Sequence, residues 1–316
     1  MKYVVTGGAG FIGSHIVEEL AAKNHEVIIL DNLFSGKREN ITPILENENV
    51  SFVNGSITDL PLLKKTFNGA DGIFHEAAIA SVPRSVANPL ETHEVNLSGT
   101  FNVLSAARDC RVKNVVFASS AAVYGENPKL PKREDMIPDT LSPYAVAKLS
   151  GEYYCSVFSR LYGVRCTALR YFNVFGPRQD PGSPYSGVIS KFIANTLNRR
   201  PLTIFGDGTQ TRDFVYVKDV VQANLRAMEK GKPGVYNIAL GKKINLLELA
   251  DIIMELAGIA VPVTFAPPTA GDIKDSLADI SRAREILGYA PEYTVREGLE
   301  KTVAWYHGLQ TDGEIS

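Results

Sequence analysis

Short runs of β-branched and other apolar residues alternate with longer amphipathic stretches from Lys2 to about Tyr171. The runs fall at 3–6, 27–30, 50–53, 72–75, 115–118 and 166–170. Several are apolar on both faces, the pattern of parallel strands covered by helices on either side. Apolar positions at helical spacing predict helices over 11–23, 91–110 and 144–162. Alternating strand and helix predict an α/β fold with a Rossmann doubly wound parallel sheet.

The character changes after Gly176. Pro177, Pro181, Gly182, Ser183, Pro184 and Gly187 predict a loop, followed by a helix over 188–199 and short strands at 202–205 and 214–217. A helix over 219–230 and a strand at 235–239 come next, and from Pro262 onward a strand, a loop at Pro267-Pro268 and two helices. Residues 1–176 are read as one lobe, with segments from about 214–245 interleaved into it. Residues 177–316 form a smaller α/β lobe closing over the carboxyl edge of the sheet.

Composition narrows the classes. With 45% hydrophobic and 22% charged residues and a net charge of −2, nothing calls for nucleic acid or an acidic membrane as partner. An anionic substrate must be met by local groups. Cys110, Cys155 and Cys166 lack metal or redox spacing and read as small hydrophobes, and a chain without a disulfide framework fits a reducing compartment. His15, His25, His75, His93 and His307 do not cluster as metal ligands. A strand begins at Lys2, where a signal peptide would need a basic segment and an apolar run, so a cytoplasmic protein is expected.

The first strand runs into Thr6-Gly-Gly-Ala-Gly-Phe-Ile-Gly13, which opens a helix. Glycines at 7, 10 and 13 let the backbone turn tightly and approach a pyrophosphate, while the helix start offers free N–H groups. Asp31 ends the second strand at about the ~20-residue distance where a carboxylate meets the adenosine ribose and repels a 2′-phosphate, which favours NAD over NADP.

Tyr144 and Lys148 lie four residues apart, on one face of a helix. A tyrosine with an ordinary pKa of about 10 must fall by about three units, or ~4 kcal/mol, to act as a base at neutral pH. A lysine and a positive nicotinamide favour the phenolate. Ser120 ends a strand on the ligand-binding edge, placed to bond a substrate hydroxyl.

With residues 7–13 and Tyr144/Lys148, the pairs Asp31-Asn32, Val95-Asn96 and Ser119-Ser120, the triplets Tyr171-Phe172-Asn173 and Arg212-Asp213-Phe214, and Gly271-Asp272 ahead of Ser276-Leu-Ala-Asp279 complete a pattern. The chain resembles the extended short-chain dehydrogenases/reductases, and within them the nucleotide-sugar 4-epimerases. The resemblance implies Ser120, Tyr144 and Lys148 as catalytic residues, NAD as resident cofactor and no metal. It implies cofactor contacts at Gly7, Gly10, Phe11, Ile12, Gly13, Asp31, Asn32, Ser35 and Gly36. Further cofactor contacts fall at Ser56, Ile57, Ala77, Ala78, Ala80, Asn96, Ser119, Tyr144, Lys148 and Tyr171. A UDP-sugar is met by Ser81, Arg84, Ser120, Tyr144, Asn173, Val188, Thr203, Phe205, Arg212, Asp272 and Ser276. Homodimers pairing the helices near 91–110 and 144–162 are also implied.

Within this superfamily, dehydratases and decarboxylases carry acids just after the active-site serine or threonine, where this chain has Ala121-Ala122. A 4-keto sugar formed there is therefore expected to be reduced again, giving 4-epimerisation. Many epimerases have a further Ser or Thr at the place of Ala122, and the family's second diphosphate arginine falls at Thr269. Arg84, Lys242 or Lys243 is the candidate to compensate. Ser276 matches a position that is tyrosine in epimerases restricted to glucose and galactose and small in those accepting N-acetyl sugars. The expected substrates are UDP-GlcNAc and UDP-GalNAc, with UDP-Glc and UDP-Gal also accepted. Alternatives are a UDP-glucuronate 4-epimerase or decarboxylase, and, from another class, a non-catalytic NAD-binding regulator. For Arg212 the plain alternative is a surface pair with Asp213 or Asp219.

Overall fold

The computed structural model describes residues 1–180, 187–268 and 274–311. The apolar runs become β1 (Lys2–Thr6), β2 (Glu26–Asp31), β3 (Val50–Asn54), β4 (Gly72–His75), β5 (Asn114–Ser120) and β6 (Arg165–Tyr171). Between them run α1 (Phe11–Ala22), α2 (Leu60–Phe67), α3 (Val82–Ala87), α4 (Pro89–Thr92), α5 (Gly99–Asp109) and α6 (Pro143–Leu161). Later come β7 (Asn173–Phe175), α7 (Val188–Leu197), β8 (Leu202–Phe205), β9 (Thr211–Arg212), β10 (Phe214–Tyr216), α8 (Val217–Lys230) and β11 (Gly234–Ile238). The chain closes with β12 (Ile244–Asn245), α9 (Leu246–Ala257), β13 (Val263–Ala266), α10 (Ser281–Leu287) and α11 (Val295–Thr311).

The described residues form a seven-stranded parallel sheet in the order β11-β6-β5-β4-β1-β2-β3. The order reverses between β1 and β4, and the crevice at their carboxyl ends is where such sheets take ligands. Ile16, Val17 and Leu20 of α1 and Val220, Val221 and Ala227 of α8 bury one face. Leu63, Phe67, Val103, Leu104 and Phe158 of α2, α5 and α6 bury the other. A third core around Phe192, Ile204, Phe214, Leu249, Ile253 and Leu299 gathers the later elements, with β8 and β13 paired in parallel. Thus β11 and α8 return to the main sheet after the chain has crossed to the other side.

The helix expected over 91–110 is present, with its middle wound as a π-helix. Residues 93–98 form a π-helical turn between α4 and α5. Inside this wider turn Asn96 faces the loop after β4, accepting from Ile79 N at 2.7 Å and donating to Ile79 O at 3.0 Å. The helices α2, α3 and α9 were not anticipated. The α6 helix starts one residue earlier than expected, because Pro143 suits the first turn and Ser142 caps it, accepting from Ala145 N at 3.2 Å. Among the described residues no helix is long and apolar enough to cross a membrane. The loop expected around Pro181, Gly182, Ser183 and Pro184 lies outside the described residues.

Candidate active site at the sheet's carboxyl edge

Gly7 has φ +70, and a Cβ there would stand 2.6 Å from the Ala77 amide nitrogen. A Cβ on Gly13 would overlap the Gly7 carbonyl oxygen. Strand, turn and helix therefore meet only because both residues are glycine. The α1 helix has Gly10 at its cap, no side-chain cap and no acid in its first turn, so the amides of Phe11 and Ile12 are available to an anion. Asp31 is buried at the end of β2, accepting from Ala9 N at 3.0 Å and Leu33 N at 2.8 Å. Burial raises its pKa. This glycine cradle with a carboxylate at the second strand fits a dinucleotide.

The structure sorts the other cofactor candidates. Gly36 lies against the Asp31 carboxylate, and Asn32 shapes the same loop by accepting from Phe34 N at 3.2 Å; Ser35 lies between them in sequence. Ala77, Ala78 and Ala80 follow β4 on the loop that Asn96 pins through Ile79. Ser56 is tied to Thr58 at 2.8 Å in the turn after β3. Three side chains turn elsewhere. Ile57 is buried in the core beneath α5. Ser119 donates to Glu152 at 2.5 Å, since alternation along β5 sends it away from the face that Ser120 serves. The Tyr171 hydroxyl donates to Glu76 at 2.8 Å and accepts from Asn224 at 2.7 Å. Ile57 and Ser119 can meet a cofactor through backbone atoms alone.

Ser120, Tyr144 and Lys148 converge. Ser120 ends β5, takes the Ala122 amide at 3.1 Å and lies near enough to Tyr144 to lower its pKa. Lys148 Nζ donates to Ala118 O at 2.6 Å and lies 5.8 Å from the centre of the Tyr144 ring. Burial lowers the Lys148 pKa to about 8, against a raising influence from Glu76. Tyr144 is not the acidic phenol that the spacing suggested. Burial raises its pKa, Ser120 lowers it and Glu76 raises it again.

Beside this triad a cavity of about 280 Å³ is lined by Asn173, Val188, Thr203, Phe205 and Arg212, all anticipated, together with Gln179, Gln210 and Leu246, which were not. Arg212 Nη1 donates to the carbonyls of Thr211 at 2.9 Å and Lys274 at 3.2 Å. Asp213 and Asp219, the surface partners considered for it, are both buried on backbone amides. Asp213 takes Leu240, Gly241 and Ala278, and Asp219 takes Glu292 and Tyr293. Ser81 caps α3, taking the Arg84 amide at 3.1 Å. Arg84 turns into a fork on Glu91 at 3.0 and 2.9 Å and stacks 4.6 Å over Phe34. Lys243 stands 4.0 Å from Asp275. Ser276 runs alongside β9, donating its amide to Thr211 O at 3.0 Å. Asp272 and Thr269 lie outside the described residues.

Among the described residues no group of His, Cys, Asp and Glu could hold a metal. His75 bridges Thr6 at 2.8 Å and Thr100 at 3.0 Å, and burial lowers its pKa to about 3, so it serves as a neutral core group. Glu76 was missed. The signal was an acid directly after an apolar strand at the switch point.

The NAD dependent epimerase/dehydratase family matches residues 3–239. UDP-glucose 4-epimerase of Mycolicibacterium smegmatis is 41% identical over 310 residues, which cover 97% of this chain and 98% of that protein. Two solved structures superpose with a TM-score of 0.93. One is UDP-N-acetylglucosamine 4-epimerase from Methanobrevibacter ruminantium in complex with UDP-N-acetylmuramic acid, 44% identical over 97% of this chain and 98% of that one. The other is UDP-glucose 4-epimerase from Thermotoga maritima with UDP-glucose, 41% identical over 98% of this chain and 100% of that one. The chain thus belongs to the NAD dependent epimerase/dehydratase family, among its UDP-sugar 4-epimerases, with NAD as cofactor.

Proposed function

We propose that the chain interconverts UDP-GlcNAc and UDP-GalNAc, and also accepts UDP-Glc and UDP-Gal, through a transient 4-keto sugar. The reading is carried by the meeting of Ser120, Tyr144 and Lys148 beside Ala121-Ala122, with no acid at that point to eliminate water or organise decarboxylation. NAD, when bound, supplies a reversible hydride acceptor. Tyr144 takes the proton of the sugar 4-OH as C4 is oxidised and returns it when the ketone is reduced on its other face. Ser120 orients the hydroxyl, and Lys148 holds the nicotinamide ribose and keeps positive charge at the site. Asn173, Thr203, Phe205 and Arg212 hold the nucleotide diphosphate, so the sugar can turn about it. An arginine fork suits that task.

Residues 1–176, joined by β11 and α8, form the NAD lobe in this reading, and 177–316 the substrate lobe. A homodimer covers the apolar face on which α5 and α6 expose Phe101, Val146, Tyr154 and Leu161.

Two predictions follow from single residues. Replacing Asp31 with Ser removes the carboxylate for the adenosine ribose, and NAD affinity should fall about tenfold while NADP affinity rises, as read by equilibrium binding of each. Ser276 flanks the strand bearing Arg212, and Ser276→Tyr fills the space an acetamido group needs. The variant should lose at least about tenfold in kcat/KM for UDP-GlcNAc and keep UDP-Glc turnover. Equal losses on both substrates, or none, would remove the gate from the account.

A further inference from the structure

Glu76 follows β4 where the sheet order reverses, and its amide donates to Thr6 O at 3.0 Å, which sets it against the glycine turn. Its carboxylate is pinned from two other elements, because Tyr171 of β6 donates to it at 2.8 Å and Asn224 of α8 donates to Tyr171 at 2.7 Å. Lys148 and Tyr144 of α6 both feel its charge without touching it. Its backbone thus abuts the glycine turn, and its charge reaches the Lys148 ammonium.

A negative charge held there favours whichever form of the dinucleotide carries positive charge, and that is the oxidised form. At an effective dielectric constant of about 20, a single charge at close range shifts such an equilibrium by about tenfold or more. We propose that Glu76 sets the charge at the reacting end of the NAD site, favouring the oxidised dinucleotide and so the return of hydride to the 4-keto sugar. The inference rests on the NAD site and is independent of which sugar is turned over.

Protein packed around the carboxyl pushes its pKa up to about 7, with Tyr171 and Lys148 pulling it down. The groups facing it are Tyr171, Lys148 and Tyr144, with Asn224, Thr6 and Gly7 uncharged. His75, its chain neighbour, titrates near 3 and Lys148 near 8.

The test is a redox titration of bound NAD in the holoenzyme without sugar, read by the absorbance of the reduced nicotinamide. In Glu76→Gln, which keeps an acceptor for Tyr171 but loses the charge, the reduced-to-oxidised ratio at a fixed potential should rise about tenfold. Glu76→Asp, which keeps the charge, should stay within about twofold of wild type. The gap between wild type and Glu76→Gln should close on acidification, as the wild-type carboxyl takes up its proton. A Glu76→Gln ratio within twofold of wild type, or an equal shift in Glu76→Asp, would overturn the proposal. Should Glu76→Gln fail to retain NAD, the wild type decides: its ratio must rise below pH 7 relative to free NAD, and a flat profile contradicts the inference. Loss of the epimerase reading leaves this result untouched, since no sugar takes part.

Discussion

Replacing Tyr144 with Phe should lower turnover about 10³-fold, or ~4 kcal/mol of barrier, while NAD stays bound. The ring keeps its packing and loses only the oxygen that lies near Ser120 and exchanges a proton with the sugar. Protein groups raise the pKa of this phenol, through burial first and Glu76 as well, with Ser120 lowering it. A second readout follows. Lys148→Met removes a fixed positive charge, so the rising limb of the pH–rate profile should move to higher pH. Wild-type turnover in Tyr144→Phe, with NAD occupancy confirmed, would remove Tyr144 from the mechanism.

Glu152→Ala should destabilise the fold by about 3–5 kcal/mol. Glu152 of α6 and Arg170 of β6 form a two-pronged pair at 2.8 and 2.7 Å, with side-chain exposures of 3% and 4%, and Ser119 adds a third bond at 2.5 Å. Removing the carboxylate strands a guanidinium, already with one nitrogen unpartnered, in the core beneath the catalytic edge. For a protein of this size the unfolding midpoint should drop by roughly 10 °C, measured by thermal denaturation of the NAD-bound protein. A Glu152→Met/Arg170→Met double variant should recover much of the loss, because the cost lies in the orphaned charge. A midpoint within about 2 °C of wild type in Glu152→Ala would show that the pair carries little.

The sheet could be read in the sequence because each of its first six strands is a compact apolar run, and burial on both faces leaves no other place for such runs. Tyr144 and Lys148 could be read for a similar reason, since helical spacing alone puts them on one face. Partnerships made across long stretches of chain could not. Glu76 and Tyr171 stand 95 positions apart, and nothing in either neighbourhood announces that one bonds the other. The fork of Arg84 on Glu91 is local, yet it depends on the turn between α3 and α4, which the helix expected over 91–110 left out. Ser119 and Ser120 show both sides of the matter. Their adjacency marked the strand end, while period-two alternation sends one hydroxyl to Glu152 and leaves the other for the substrate side.

The most direct measurement uses UDP-GlcNAc carrying deuterium at C4, incubated with the purified holoenzyme and no added NAD. The account predicts UDP-GalNAc that retains the deuterium at C4, because one resident NAD takes and returns the same hydride within each cycle. Deuterium lost to water, or no epimer from any UDP-hexose while NAD remains bound, would contradict it.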